Sequence, residues 1–263
     1  MHPQVARLLE RAATSPLPPY HAVTPFVARR IYRDTRAALA PKAEEVAETR
    51  LLVADGPVAL RAYCPAGAGR DEILPALVYY HGGGWTIGDL DTHDTLCRQL
   101  ANGARCAVFS VDYRMGPEHP FPAAVDDCIA ATAWLARSAR ELRIDPARIA
   151  VGGDSAGGNL AAVVALHARD HGGPRLAFQL LIYPATDQRL GQASHRENAE
   201  GYLLTRQAIE FFQRCYFAGP RDREDWRASP LLAASLARLP PALVITAGFD
   251  PLRDEGNEYA ARL

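Results

Sequence analysis

The stretch Arg148-Ile149-Ala150-Val151-Gly152-Gly153-Asp154-Ser155-Ala156-Gly157-Gly158-Asn159 decides how this chain is read. Its first five residues form a short apolar run of the kind that fills a buried strand, and Asn159 to His171, rich in Ala, Val and Leu, reads as a helix. Between them Gly153-Asp154-Ser155-Ala156-Gly157 fits Gly-x-Ser-x-Gly, a sharp strand-to-helix turn that holds its serine in a strained conformation. Flanking glycines are needed because neighbouring backbone packs closely on both sides of that serine. The turn presents the Ser155 hydroxyl at the positive end of a helix, where it is a candidate nucleophile. A Gly-rich turn of this shape also cradles anions, so taken alone the motif leaves both readings open.

A second motif narrows the choice. His81-Gly82-Gly83-Gly84-Trp85 follows the apolar strand Leu77-Val78-Tyr79-Tyr80. Attack on an ester carbonyl creates an oxyanion, which needs fixed N–H donors about 3 Å away in a dry site. Consecutive glycines let a backbone approach the reacting atom with no side chain in the way. Gly83 and Gly84 are the expected donors, joined by Ala156 directly after the nucleophile. His81 is expected to hold the loop rather than to react.

Bulk properties set the class. A chain of 263 residues, 48% hydrophobic and 22% charged, has the make-up of an ordinary globular protein. A net charge of −1 gives no electrostatic case for nucleic acid or an anionic membrane as partner. No apolar run reaches the about 18 residues that a membrane span needs, and Met1-His2-Pro3-Gln4 lacks a signal-peptide profile. Cys64, Cys97, Cys106, Cys128 and Cys215 show no metal spacing and read as buried thiols in a reducing compartment. The expectation is a cytoplasmic protein without metal or organic cofactor.

Alternation of strands and helices gives the fold class: α/β, with a mostly parallel central sheet and helices on both faces. Residues 1–44 are expected to form N-terminal cap helices (Gln4 to Ala13 and Pro25 to Leu39), broken apart by Pro16, Pro18 and Pro19. Residues 45–183 form the core, opening with an antiparallel pair, Thr49 to Val53 and Val58 to Tyr63, about the turn Asp55-Gly56-Pro57. Then come strands to Tyr80 and at Ala107 to Val111, helices Thr92 to Asn102 and Ala123 to Ala139, the elbow, and a strand Ala177 to Tyr183. In residues 184–230 the rhythm breaks, leaving one clear helix, Thr205 to Tyr216, as a cap insertion. Its Phe211, Phe212 and Phe217 either line an acyl pocket or pack the cap onto the sheet. Residues 231–263 resume the core with strand Ala242 to Ala247 and helix Pro251 to Leu263.

Asp250 begins where that last strand ends, the place where catalytic groups of open α/β sheets gather. It is placed to orient a histidine, although Asp before Pro also caps helices, and Asp254 is the alternative carboxylate. At this point the chain resembles the hormone-sensitive-lipase-like bacterial carboxylesterases of the α/β-hydrolase superfamily. The likeness rests on the two motifs above, on Asp112-Tyr113-Arg114-Met115-Gly116-Pro117-Glu118-His119-Pro120-Phe121-Pro122-Ala123, on Tyr183-Pro184 and on Asn198-Ala199-Glu200-Gly201-Tyr202. It also includes Asp250-Pro251-Leu252-Arg253-Asp254-Glu255-Gly256. The resemblance implies Ser155 as nucleophile, Asp250 as acid, Gly83, Gly84 and Ala156 as oxyanion hole, and short- to medium-chain esters as substrates, in monomers or homodimers. Trp85, Asp154, Tyr183 and Phe211 are the expected substrate contacts.

One departure stands out. Triad order in this fold is Ser, Asp, His, yet only thirteen residues follow Asp250 and all eight histidines precede it. A closing helix that stops on apolar Leu263 without a cap, and a strand left as an apolar edge, read as a chain that lacks its final strand and helix. The other reading is a hydrolase-fold protein that keeps binding and has lost catalysis. His195, in the cap insertion, is the one histidine free to approach Ser155. The chain as written is expected to hydrolyse esters very slowly.

Overall fold

The computed structural model describes residues 1–56 and 58–263; Pro57, the last residue of the expected Asp55-Gly56-Pro57 turn, lies outside the described residues. A seven-stranded sheet comprises β1 (Glu48–Val53), β2 (Ala59–Cys64), β3 (Leu74–Tyr80), β4 (Ala107–Asp112), β5 (Ile144–Asp154), β6 (Phe178–Ile182) and β7 (Ala242–Ile245), in the spatial order β1-β2-β4-β3-β5-β6-β7. The β1–β2 and β2–β4 pairs are antiparallel and the rest parallel. The burial pattern follows from position. Edge strand β1 alternates exposed and half-buried residues, whereas central β3 is buried along nearly its whole length, as a strand covered on both faces must be. At the other edge, β7 leaves Leu243 and Ile245 exposed.

Helices cover the sheet: α3 (Asp94–Ala104) lies against β4 on one face, and α4 (Ala123–Arg137) packs beside α6 (Ala156–Asp170) on the other. Helix α6 is all but enclosed, with Leu160, Ala161, Val163 and Val164 in the main core, which is why its sequence shows no polar face. Further helices are α1 (Pro3–Ala13), α2 (Pro25–Leu39), the four-residue α7 (Ser194–Glu197) and α8 (Arg206–Tyr216). The chain closes with α9 (Arg253–Arg262).

Several boundaries differ from the sequence reading. Strand β5 starts four residues early because Ile144 pairs with Leu74 before a register irregularity. The expected helix Ala123 to Ala139 is interrupted at Ser138, and α5 (Ala139–Leu142) follows separately. Helix α6 starts at Ala156, immediately after Ser155, rather than at Asn159. Helix α7, too short for any periodicity, had no sequence signal. For the site, one register matters most: Tyr80 lies opposite Gly153, so the loop after β3 and the turn after β5 emerge side by side.

Candidate active site

Ser155 joins β5 to α6 with φ 55° and ψ −115°, a conformation that costs a non-glycine residue of order 1–3 kcal/mol. Neighbouring backbone over-determines it. The Ser155 N–H donates to the Ile182 carbonyl (2.9 Å), and its carbonyl accepts the N–H of Asn159 (3.0 Å) and of Ala185 (3.2 Å). The glycines are required by contact rather than by dihedral. A Cβ on Gly157 would stand 1.8 Å from the Tyr80 carbonyl oxygen, and one on Gly153 2.3 Å from the same atom.

Beside this turn lies the glycine loop. Gly83 and Gly84 take positive φ values of 126° and 57°, and the loop closes as a turn in which the Ile87 N–H donates to the Gly83 carbonyl (2.9 Å). Among the described residues the N–H groups of Gly83, Gly84 and Ala156 donate to no protein acceptor. Gly84 is also a packing point: an added Cβ would lie 2.2 Å from Cγ of Phe212 on α8.

Asp154 was expected at the substrate. The structure instead places its carboxylate in the buried support of the glycine loop. Oδ1 accepts the Tyr79 hydroxyl (2.8 Å) and the Gly82 N–H (2.9 Å), with His93 Nε2 at 3.2 Å. Burial pushes this carboxyl up, but His93 and the hydrogen bonds from His93 and Tyr79 outweigh it and hold the group down at about 2. His81 stacks on Tyr113 at 4.3 Å, its Nδ1 lies 2.9 Å from the Gly82 carbonyl, and Tyr113 OH donates to the His81 carbonyl (2.7 Å). Full burial, and secondly the neighbouring His93, lower the His81 imidazole to about 4, so it is neutral at pH 7. It holds the loop and carries no charge there.

Trp85 is buried and stacks on Tyr216 of α8, 4.5 Å between centroids and 4° between planes. Phe211 belongs to a buried cluster with Phe212, Ala28, Ala208 and Ile87, against which Tyr20 and Tyr32 pack. Tyr183 follows β6 with φ 36°, its N–H donating to the Ile245 carbonyl (2.6 Å), and burial raises its phenol. Helix α2 is fastened over the loops: Arg29 Nε donates to the Thr86 carbonyl and Nη2 to the Gly116 carbonyl, both at 2.8 Å, while Nη1 bonds Glu118.

Asp250 is half-buried after β7. Its Oδ1 accepts the Leu252 N–H (2.9 Å), a capping-type bond, and burial raises the carboxyl against the opposing pull of that bond and of His195. Asp254, the alternative carboxylate, is taken up by the Ser194 N–H (2.8 Å) and by Arg253 (2.8 Å). His195 does not face Ser155 as a free base: its Nε2 lies 2.6 Å from Glu255 Oε2 and both side chains are fully buried. Sequence reading missed His93, Tyr79 and Glu255. Only Glu255 stood within a quoted motif, and nothing in that motif marks it as buried. Among the described residues no group of three or more His, Cys, Asp or Glu side chains forms a metal site, and no helix is long and apolar enough to cross a membrane.

The family profile described as "alpha/beta hydrolase fold" matches residues 77–263. The chain is 51% identical over 214 residues to the carboxylic ester hydrolase LipN of Mycobacterium tuberculosis, and 50% identical over 212 residues to the esterase LipI of the same organism. Each match covers 79% of this chain, and 56% of LipN or 65% of LipI. It thus spans between half and two thirds of those relatives' length. An ethyl acetate hydrolase of Pseudomonas putida is 41% identical across 93% of this chain and 79% of its own. Among solved structures, an α/β-hydrolase enzyme from the metagenome of Lake Arreo superposes with TM-score 0.96 at 45% identity, covering all of this chain and 84% of that one. The hyperthermophilic esterase of Pyrobaculum calidifontis gives 0.91 at 42% identity, over 99% of this chain and 84% of its own.

Proposed function

The chain belongs to the hormone-sensitive-lipase-like family of α/β-hydrolases, and from that premise we propose that it is the scaffold of a serine carboxylesterase acting on short- to medium-chain acyl esters. Ser155 Oγ attacks the ester carbonyl, the alcohol leaves with a proton, and water then releases the acid from the acyl-enzyme. The N–H groups of Gly83, Gly84 and Ala156 receive the oxyanion, and Asp250 orients the imidazole that moves the proton. The observation that carries this reading is the strained Ser155 beside three N–H groups that no protein acceptor occupies. Residues 1–44 and 184–230 serve as the cap, and the Phe211–Phe212 cluster, which touches Gly84, borders the acyl group.

The imidazole itself is none of the eight in residues 1–263. His81 and His93 are bound into the support of the glycine loop, His195 faces Glu255, and His167 and His171 stack on each other at the far end of α6. His119 is exposed in the loop after β4, and His2 and His21 belong to the N-terminal cap. Lacking a base, residues 1–263 are expected to retain only what binding and the oxyanion hole supply, about 10³–10⁴-fold over water.

The test supplies the base from outside. Hydrolysis of p-nitrophenyl butyrate is followed against imidazole concentration, with the Ser155→Ala protein as blank. A saturable, Ser155-dependent acceleration with a transient butyryl-Ser155 adduct by mass spectrometry is expected. Tight binding of a small ester with no acylation, even in imidazole, would favour a ligand-binding protein instead. Faster turnover of the matching amide than of the ester would place the activity among amidases.

A further inference from the structure

Helix α7 and the residue after it grip the segment that carries Asp250. Ser194 Oγ donates to the Pro251 carbonyl (2.6 Å), Asn198 Nδ2 to the Asp250 carbonyl (3.1 Å), and Arg253 Nη2 to Glu197 (2.8 Å). At the centre of this clasp lies the buried His195–Glu255 pair, which the reaction above does not use. The other carboxylate oxygen, Oε1, accepts the N–H of Thr186 (2.7 Å) and of Asp187 (3.2 Å), while Thr186 Oγ1 donates to the Glu255 carbonyl (2.8 Å). Thr186 follows Ala185, whose N–H bonds the Ser155 carbonyl and whose own carbonyl accepts Asn159 Nδ2 (2.7 Å). One carboxylate therefore joins the loop bonded to Ser155 and helix α7, both within residues 184–230, to the helix that follows Asp250.

We propose that His195 and Glu255 are positioning residues: their pair fixes the Asp250 loop in register with Ser155 and makes the cap insertion part of the reacting scaffold. The proposal rests on the triad reading. Stability alone is a poor reason for such a pair, because two apolar side chains of similar size in its place are often neutral or better. What apolar side chains cannot do is hold two N–H groups and an imidazole at set distances. Burial raises the Glu255 carboxyl while His195 opposes the shift, as expected of a pair kept for its geometry.

The test uses the imidazole-supplemented assay. His195→Leu/Glu255→Gln breaks the pair, leaves no buried charge and keeps an acceptor for Thr186 and Asp187. Glu255→Gln alone keeps the pair's shape. The first variant is expected to lose about ten- to a hundredfold in imidazole-dependent turnover at unchanged KM, the cost of a misplaced reacting group. The second should stay within a few-fold of the parent. Adding Asp250→Asn to the first variant should cost no more, because both changes act through one carboxylate; a merely structural pair would give multiplying losses. A folded first variant with the parent's turnover, or losses that multiply with Asp250→Asn, overturns the proposal. Should that variant fail to fold, His195→Gln, which keeps a donor towards Glu255 with altered reach, is judged by the same two outcomes. A parent with no Ser155-dependent turnover sinks the triad reading itself, which separates that failure from this one.

Discussion

Replacing Asp154 by alanine tests whether the glycine loop is held from behind by a single carboxylate. In the parent, the carboxyl is wholly buried yet held at about 2, against 3.8 in a free side chain. The bonds it receives therefore exceed its desolvation cost, by about 2–3 kcal/mol at 1.4 kcal/mol per pKa unit. A depressed carboxyl contributes this stability above its unfolded pKa and loses it as pH falls through its folded value, so the contribution is complete at pH 7. Viewed from the donors, alanine leaves the Tyr79 hydroxyl and the Gly82 N–H without an acceptor in the interior, at about 1–3 kcal/mol each. These are two measures of the same bonds and are not added; the expected loss is about 3–4 kcal/mol, a large share of the about 5–15 kcal/mol that holds a typical domain folded. Urea unfolding at pH 7 should show a lower midpoint with an unchanged slope, and melting should fall by roughly 10 °C. Asp154→Asn keeps one acceptor oxygen and should lose less than half as much. An alanine variant within 1 kcal/mol of the parent, or an asparagine variant as damaged as alanine, would refute the reasoning.

Four further outcomes are expected. His81, lowered to about 4 by burial and then by His93, refuses a proton that the unfolded chain binds from pH 6.5 downward. Stability should thus fall by about 3 kcal/mol between pH 6.5 and 4, and His81→Gln should flatten that slope in urea titrations across the window. Gly157→Ala, whose Cβ would meet the Tyr80 carbonyl oxygen at 1.8 Å, should lose at least the about 1–3 kcal/mol typical of overpacking. Gly103→Ala in α3, with nothing within 4 Å, should by contrast gain about 0.5–1 kcal/mol. Phe211→Ala should change the order of preference among p-nitrophenyl acetate, butyrate and octanoate; an unchanged profile in a folded variant would leave Phe211 a packing residue only.

What the sequence made legible is what local rules dictate. Continuous apolar runs gave the central strands, Pro25 placed the start of α2, and Gly-x-Ser-x-Gly located the turn at Ser155, because a strained serine between close-packed backbones demands those glycines. Contacts formed across long chain separations left no such trace. Tyr79 looks like any apolar strand residue, yet its hydroxyl is tied to Asp154, 75 positions away. Asp154 and Trp85, expected as substrate contacts, lie inside the two glycine motifs. Adjacency along a chain does not fix which way a side chain turns: Asp154 ends a strand and sends its carboxylate to the neighbouring loop, and Trp85 turns to α8. His195 looked free because it lies in an irregular segment, where neither period nor burial can be inferred; its partner, Glu255, is 60 residues on.

The two buried carboxylates reveal a common arrangement with unequal energetics. Asp154 accepts a backbone N–H from the loop after β3 and faces His93; Glu255 accepts backbone N–H groups from the loop after β6 and faces His195. Each ties a loop at the end of a strand to an element far along the chain, and backbone donors specify position better than side chains do, because they carry no rotamers of their own. The outcomes diverge because His93, through its charge and its hydrogen bond, and then the Tyr79 hydroxyl outweigh burial at Asp154, whereas burial dominates at Glu255 and raises its carboxyl. Acid should therefore act on them in opposite senses. As pH falls, the stability that Asp154 contributes is kept until about 2 and then lost, whereas a carboxyl raised by burial takes up its proton more readily folded than unfolded, so protonation of Glu255 favours the folded state. Mild acid should then leave the Glu255 side of the site held as firmly as the glycine loop. Hydrogen exchange at pH 5 against pH 7, corrected for the intrinsic pH dependence of exchange, reads this directly: protection should be kept at Thr186, Asp187 and Gly82. A drop at Thr186 and Asp187 with Gly82 unchanged would refute the sign argued from these two carboxylates.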